Sequence, residues 1–381
     1  MTLRPLVGGL CGLLLVVGRL AAGDMPLDYR PAPDSDEAGL WMANDEMEKG
    51  FQSSPLLVRD PALNAYVRGV VCKLAPERCA AVRIYILDLP YFNAAMSPNG
   101  AMQVWTGLLA RVDDEAELAF VLGHEFSHYK LRHTLALWQR ARNTSGFATI
   151  MTVATGGIGA LVGLAAVGTL SSYSRDEERE ADASGMALAV AAGYDPAAGG
   201  TLWQAEAAEE TADTMRDTGI SFFRSHPETE ERLATMKKSA AKLTAPPSGW
   251  IANADGLKQA VGPWRNQWLA EIVALGHYDG ALVLLHRKAE KEPDCGEFQF
   301  LIGEVYRRRN RDGDAEKALA AYRAAIAAAD HPPEAWRGLG LVALKSGDKT
   351  AAGEAFGRYL AAAPKAGDRA MIEYYLKQVR E

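Results

Sequence analysis

The chain has 381 residues, 48% of them hydrophobic, with a formal net charge of −7. That length exceeds one ordinary domain, and the apolar content is enough for two packed cores. The acidic balance excludes the basic footprint that a nucleic-acid partner requires.

Residues 1–23 open the chain with Arg4, an apolar run from Leu6 to Val17, and the small residues Ala21 and Gly23 just before Asp24. The run is short for a bilayer crossing. The pattern predicts an export signal cleaved near Gly23/Asp24, with an uncleaved anchor or a buried helix as the competing readings. In an oxidising compartment Cys72 and Cys79 would bridge; two free core thiols are the alternative. A first helix is expected through Gly50. Asp60-Pro61 then predicts an N-cap and first turn of a helix reaching Leu74. Val82 to Leu89 is a β-branched and aromatic run that reads as a strand. Pro98-Asn99-Gly100 is a turn, and Met102, Gln103, Val104 and Trp105 read as a second strand. Asp113, Asp114 and Glu115 place acid at the start of the next helix, where it complements the helix dipole.

From Asn143 to Ser174 no residue is charged, and Gly146 to Leu170 is rich in glycine. The length suits a membrane span, but the glycines weaken a lone helix. A buried hairpin, an apolar flap over a site and peripheral membrane contact all remain open. Helical patterning resumes from Asp176 to Ala192. The division predicted is residues 24–245 as one domain, 246–261 as a linker and 262–381 as a second domain.

That last third repeats. Trp336, Leu339, Gly340, Ala352, Phe356 and Pro364 fall at the spacing of the tetratricopeptide (TPR) repeat, a helix-turn-helix unit of about 34 residues. Gly303, Tyr306, Ala318 and Tyr322 mark a second copy, and Gly276, Ala281, Leu285 and Pro293 a weaker first one. Three units are about the minimum for a continuous core, and Ala370 to Glu381 would cap the stack.

Chemistry gathers in the helix LAFVLGHEFSHYK, Leu118 to Lys130. His124 and His128 are four apart, so they share one helix face and can reach one Zn²⁺. Glu125 falls beside such an ion, where a carboxylate can take a proton from water. A catalytic site needs a third protein ligand. Glu178 supplies it in SRDEEREADASG, with Asp182 one turn on to accept the spare ring N–H of a ligating histidine. Glu177 and Glu180 read as solvated acids. His133 sits five residues past His128, off the ligand face, and reads as structural.

H-E-x-x-H, then S-R-x-x-E-x-x-A-D-x-x-G from Ser174 to Gly185, then S-H-P-x-x-x-x-R from Ser225 to Arg232, resembles the zinc metallopeptidases that include HtpX, the CAAX prenyl endopeptidase, mitochondrial Oma and BepA. The resemblance covers roughly Asp60 to Met236. It implies a mainly α fold: a gluzincin-type α+β metalloprotease domain with a small edge sheet, followed by an all-α TPR solenoid. It implies one zinc per chain on His124, His128 and Glu178, with Glu125 as general base. His226 would stabilise an oxyanion or act as a fourth ligand that shuts the enzyme, with a packed and silent loop histidine as the alternative. Arg232 would anchor the following helix by hydrogen bonds. The strand Met102 to Trp105 would be the edge that pairs with substrate, with a wholly buried strand as the alternative. The export signal and repeats make the BepA-like branch nearest in architecture. That branch implies a periplasmic endopeptidase acting on unfolded or stalled envelope proteins, with the repeats meeting outer-membrane assembly machinery. The alternative is a chaperone-like TPR adaptor with a latent, autoinhibited zinc site.

Overall fold

The computed structural model describes residues 25–26, 29–141, 172–213, 222–227 and 230–381. The expected export signal at 1–23 and the glycine-rich stretch 146–170 lie outside the described residues. Among the described residues no helix is long and apolar enough to cross a membrane.

Helix α1 (Asp36–Ser53) starts at Ser35, whose hydroxyl accepts from the Ala38 N–H. Helix α2 (Pro61–Leu74) opens with proline behind Asp60, whose carboxylate accepts from the Leu63 N–H. Both starts satisfy amides that the first turn leaves unpaired. Cys72 and Cys79 form a disulfide, with Cα atoms 4.7 Å apart, that ties the end of α2 to the turn before the sheet.

The sheet has three strands, β1 (Arg83–Leu87), β2 (Ala94–Met96) and β3 (Ala101–Trp105), in the order β1-β3-β2. β1 runs parallel to β3 and β2 antiparallel to it. This corrects one expectation. Met102, Gln103, Val104 and Trp105 are not an edge: β3 is central, bonded on both sides and buried along its length. Strand character was legible in these residues, but neighbours were not, and Asn93-Ala94-Ala95-Met96 has little β-propensity to announce β2. The edge is β2. Trp105 N–H donates to the Asn93 carbonyl and Ser97 N–H to the Ala101 carbonyl. By alternation, Ala94 and Met96 direct their backbone groups away from β3.

Helices α3 (Thr106–Arg111) and α4 (Glu115–Lys130) pack on the sheet, and α5 (His133–Ala141), α6 (Arg175–Ala191) and α7 (Ala198–Ala212) pack on α4. Asp114 caps α4, and every residue of α4 except Lys130 is buried. α6 crosses α4 at Gly123 and Gly185, where a Cβ on Gly185 would stand 2.8 Å from the His124 nitrogen and 3.0 Å from its Cα. Those neighbours are backbone and cannot step aside. Gly185→Ala should therefore destabilise the protein by about 1–3 kcal/mol and weaken zinc retention, read by urea denaturation and metal analysis.

After α8 (Phe222–Ser225) and α9 (Glu230–Ala240) the chain enters the helical repeats: α10 (Ala254–Ala274), α11 (Tyr278–Lys291), α12 (Gly296–Arg309), α13 (Asp314–Ala327), α14 (Glu334–Lys345), α15 (Lys349–Ala362) and α16 (Arg369–Arg380). Residues 254–261, read as linker, are instead the first turns of α10. Asn253 turns the chain with φ of 56°, and Leu257 and Val261 are buried. The helices close on small residues: a Cβ on Gly338 would meet the Tyr322 ring at 2.4 Å, and one on Gly340 the Phe356 ring at 2.5 Å.

Candidate metal centre

Three elements converge at the α4–α6 crossing. α4 supplies His124, Glu125 and His128; α6 supplies Glu178 and Asp182; the turn after α8 supplies His226. All six side chains are buried. His124 Nε2 lies 3.0 Å from His128 Nε2 and 3.2 Å from His226 Nδ1. Glu178 Oε1 lies 3.1 Å from His226 Nδ1 and 3.5 Å from His128 Nε2, and Glu178 Oε2 lies 3.6 Å from His124 Nε2.

This donor set fits a zinc ion. Zinc bonds of about 2.0–2.1 Å in a tetrahedron set ligand atoms roughly 3.3–3.4 Å apart, within the spread observed here. The protonation pattern agrees. His124 Nδ1 lies 3.1 Å from Asp182 Oδ1, so its proton belongs there and its Nε2 faces the cluster as a lone pair. Several imidazole nitrogens and a carboxylate oxygen then crowd one buried point with few protons to share. A divalent cation resolves that arrangement.

The surroundings tune each group. Burial alone would raise the Asp182 carboxyl, but the His124 hydrogen bond and Arg232 pull it down to about 2. Arg232 reaches from α9 to α6, with Nε 2.8 Å from Asp182 Oδ2, Nη2 2.9 Å from Asp182 Oδ1 and Nη1 2.8 Å from Glu178 Oε2. Its Nη1 also donates to the Pro227 carbonyl at 2.7 Å. So Arg232 fastens the His226 turn and α9 onto the acids of α6, beyond the local anchoring expected from sequence. Glu178 is held below the usual carboxylate range: burial raises it, and His226, His124 and Arg232 outweigh that. Burial and the neighbouring histidines keep the His128 ring far below its ordinary value and so neutral, as a metal ligand must be. Among the described residues Glu125 pairs with no Lys or Arg, and burial pushes it up to about 8 against the pull of His124. A divalent charge in the adjacent cluster would pull it back towards ionisation.

The structure brings in His133 and Glu177, which sequence reasoning set aside, and Tyr173, which it did not single out. His133 is buried, with Nδ1 3.0 Å from His128 Nδ1 and Nε2 3.3 Å from Glu180 Oε2. Helical spacing put it off the ligand face, but α4 ends first. Arg132 takes φ of 60°, and that left-handed residue turns His133 back towards the site. Tyr173 stacks on His128 with ring centroids 3.9 Å apart. Glu177, read as a solvated acid, completes a capping box with Ser174 and pairs with Arg140 at 2.7 Å.

Residues 59–240 match the description of peptidase family M48, and residues 273–319 and 311–367 match the tetratricopeptide repeat. The chain carries a peptidase family M48 domain followed by TPR repeats. Members of family M48 are zinc-dependent metallopeptidases, and the four clustered residues are a possible site for one metal. The mitochondrial metalloendopeptidase OMA1 of Schizosaccharomyces pombe is 30% identical over 156 residues, covering 41% of this chain and 45% of that protein. The beta-barrel assembly-enhancing protease of Yersinia pestis is 25% identical over 274 residues, covering 64% of this chain and 55% of that protein. The OMA1 of Bos taurus is 33% identical over 132 residues, covering 32% and 25%. The chain thus spans between a quarter and just over half of the length of these relatives.

Proposed function

We propose that the chain is an exported zinc-dependent endopeptidase that acts on unfolded or stalled envelope proteins in the periplasm. The observation that carries the chemistry is the convergence of His124, His128 and Glu178 on one buried point with Glu125 beside it. Zinc held there supplies Lewis acidity, which acidifies water and polarises a scissile carbonyl. Glu125 takes the proton from the attacking water as its oxygen bonds to the carbonyl carbon. It then delivers that proton to the departing amine as the C–N bond breaks. β2, which packs against α4, is the terminal strand whose outward backbone groups at Ala94 and Met96 an extended peptide would pair with, although both residues are buried in this structure. The name of the Yersinia pestis relative, a beta-barrel assembly-enhancing protease, supports the client class, β-barrel proteins in assembly. The repeats supply a surface for such a client or for assembly machinery. The Cys72–Cys79 bridge and the N-terminal pattern support an oxidising, exported setting.

His226 keeps this centre shut. Its Nδ1 faces the cluster while its Nε2 lies 3.6 Å from Glu125 Oε1, so one ring fills a ligand position and crowds the base. It stacks on Phe222 with centroids 4.3 Å apart, and Ser225 accepts a hydrogen bond from the Tyr173 N–H at 3.1 Å. Purified His226→Ala should cleave an unfolded barrel protein faster than wild type, with about one zinc per chain retained on the other three ligands. Slower cleavage with zinc retained would overturn the shut state and favour oxyanion stabilisation by His226.

A further inference from the structure

We infer that His133 is a positioning residue for the metal centre, orienting His128 through a relay from His128 to His133 to Glu180. The inference rests on the zinc reading above. A histidine that gives Nε2 to an ion keeps its one proton on Nδ1, and a buried N–H needs an acceptor. For His124 that acceptor is Asp182, as shown above. For His128 the facing atom is His133 Nδ1, at 3.0 Å.

Two Nδ1 atoms can share only one proton. If His128 donates, His133 must present a lone pair at Nδ1 and carry its own proton on Nε2. That nitrogen faces Glu180 Oε2, at 3.3 Å. A single assignment of tautomers therefore satisfies all three groups, and it is the assignment that aims His128 Nε2 at the cluster. Tyr173 restrains the face of the His128 ring, lying nearly parallel to it at 21°, but makes no hydrogen bond to Nδ1. The two histidines of α4 are thus held unequally. His124 is held directly by a buried carboxylate. His128 is held through a second imidazole whose outer partner, Glu180, has a side chain 64% exposed.

The test measures zinc dissociation constants of full-length protein by chelator competition, with the thermal midpoint of the metal-free form recorded for each variant. His133→Ala should weaken zinc about 10–100-fold. His133→Asn keeps an acceptor near the Nδ1 position and should stay within about threefold of wild type. Glu180→Leu should weaken zinc in the same direction but less, because water can replace an exposed acceptor. A merely structural His133 would make the Ala and Asn variants lose zinc affinity equally, in step with the metal-free midpoint. That result overturns the relay, as does wild-type affinity in His133→Ala. Wild-type protein that binds no zinc overturns both the relay and the proposed function. Protein that binds zinc with the expected order of variants but cleaves nothing overturns the function and leaves the relay standing.

Discussion

Glu125→Gln should reduce proteolysis by about 10²–10⁴-fold while leaving the zinc content of the protein unchanged. The substitution preserves shape and one acceptor oxygen but removes the ability to take up a proton. Glu125 is 2% exposed and, among the described residues, pairs with no Lys or Arg, so its loss should not unfold the site. The buried neutral amide should ease folding of the metal-free protein, since burial already disfavours the carboxylate. The measurement pairs digestion of an unfolded β-barrel protein with metal analysis of the same preparation. The proposed shut position of His226 sets the design: the pair Glu125→Gln and wild type should also be compared in the His226→Ala background, where basal cleavage should be higher and the span of the assay wider. Equal cleavage by Glu125→Gln and wild type in both backgrounds would remove Glu125 from the chemistry.

The parts of this centre that the sequence displayed are those held at fixed helical spacing. His124 and His128 lie one turn apart on α4, and Glu178 and Asp182 one turn apart on α6, so local periodicity was enough to pair them. The groups it hid are those delivered by breaks in regular structure. His133 reaches the site only because Arg132 reverses the chain. β2 is an outer strand only because a short, weakly β-prone segment folds back on β3. The same distinction holds in the repeats. Small residues opposite large rings were legible as a period, whereas the start of α10 depends on Asn253, whose amide donates to Glu115 Oε2 at 2.6 Å. That contact comes from the base of α4, remote in sequence. Pairings between distant segments carry no local signature, and this is where reading from spacing alone stops.

The largest expected effect on stability comes from Asp113, on the turn between α3 and α4. Its Oδ2 lies 2.5 Å from Arg287 Nη1 and 2.7 Å from Lys291 Nζ, and its Oδ1 lies 2.7 Å from Lys288 Nζ. All three cations are on α11, so one carboxylate joins the repeats to the peptidase domain. Lys288 also donates to the Val112 carbonyl at 2.8 Å, and Arg287 to the Arg111 carbonyl at 3.1 Å. Removing the acid leaves Lys288 buried without a counter-ion. Asp113→Ala should destabilise the protein by about 3–5 kcal/mol, measured by urea denaturation near neutral pH. Replacing Asp113 by Leu and Lys288 by Met together should cost less than Asp113→Ala, because the stranded charge is gone. The acid dependence has a definite sign. Burial would raise the Asp113 carboxyl, but Lys288 and Arg287 pull it from 3.8 to about 2. A folded value below the unfolded one means the contribution is complete above about pH 4 and is lost as pH falls towards 2. The gap between wild type and Asp113→Ala should narrow over that window. His124 stands 11 residues further along the chain, about 16 Å up α4, so zinc content in the folded variant should not change. A constant gap from neutral pH down to pH 2 would mean that Asp113 acts through packing rather than charge.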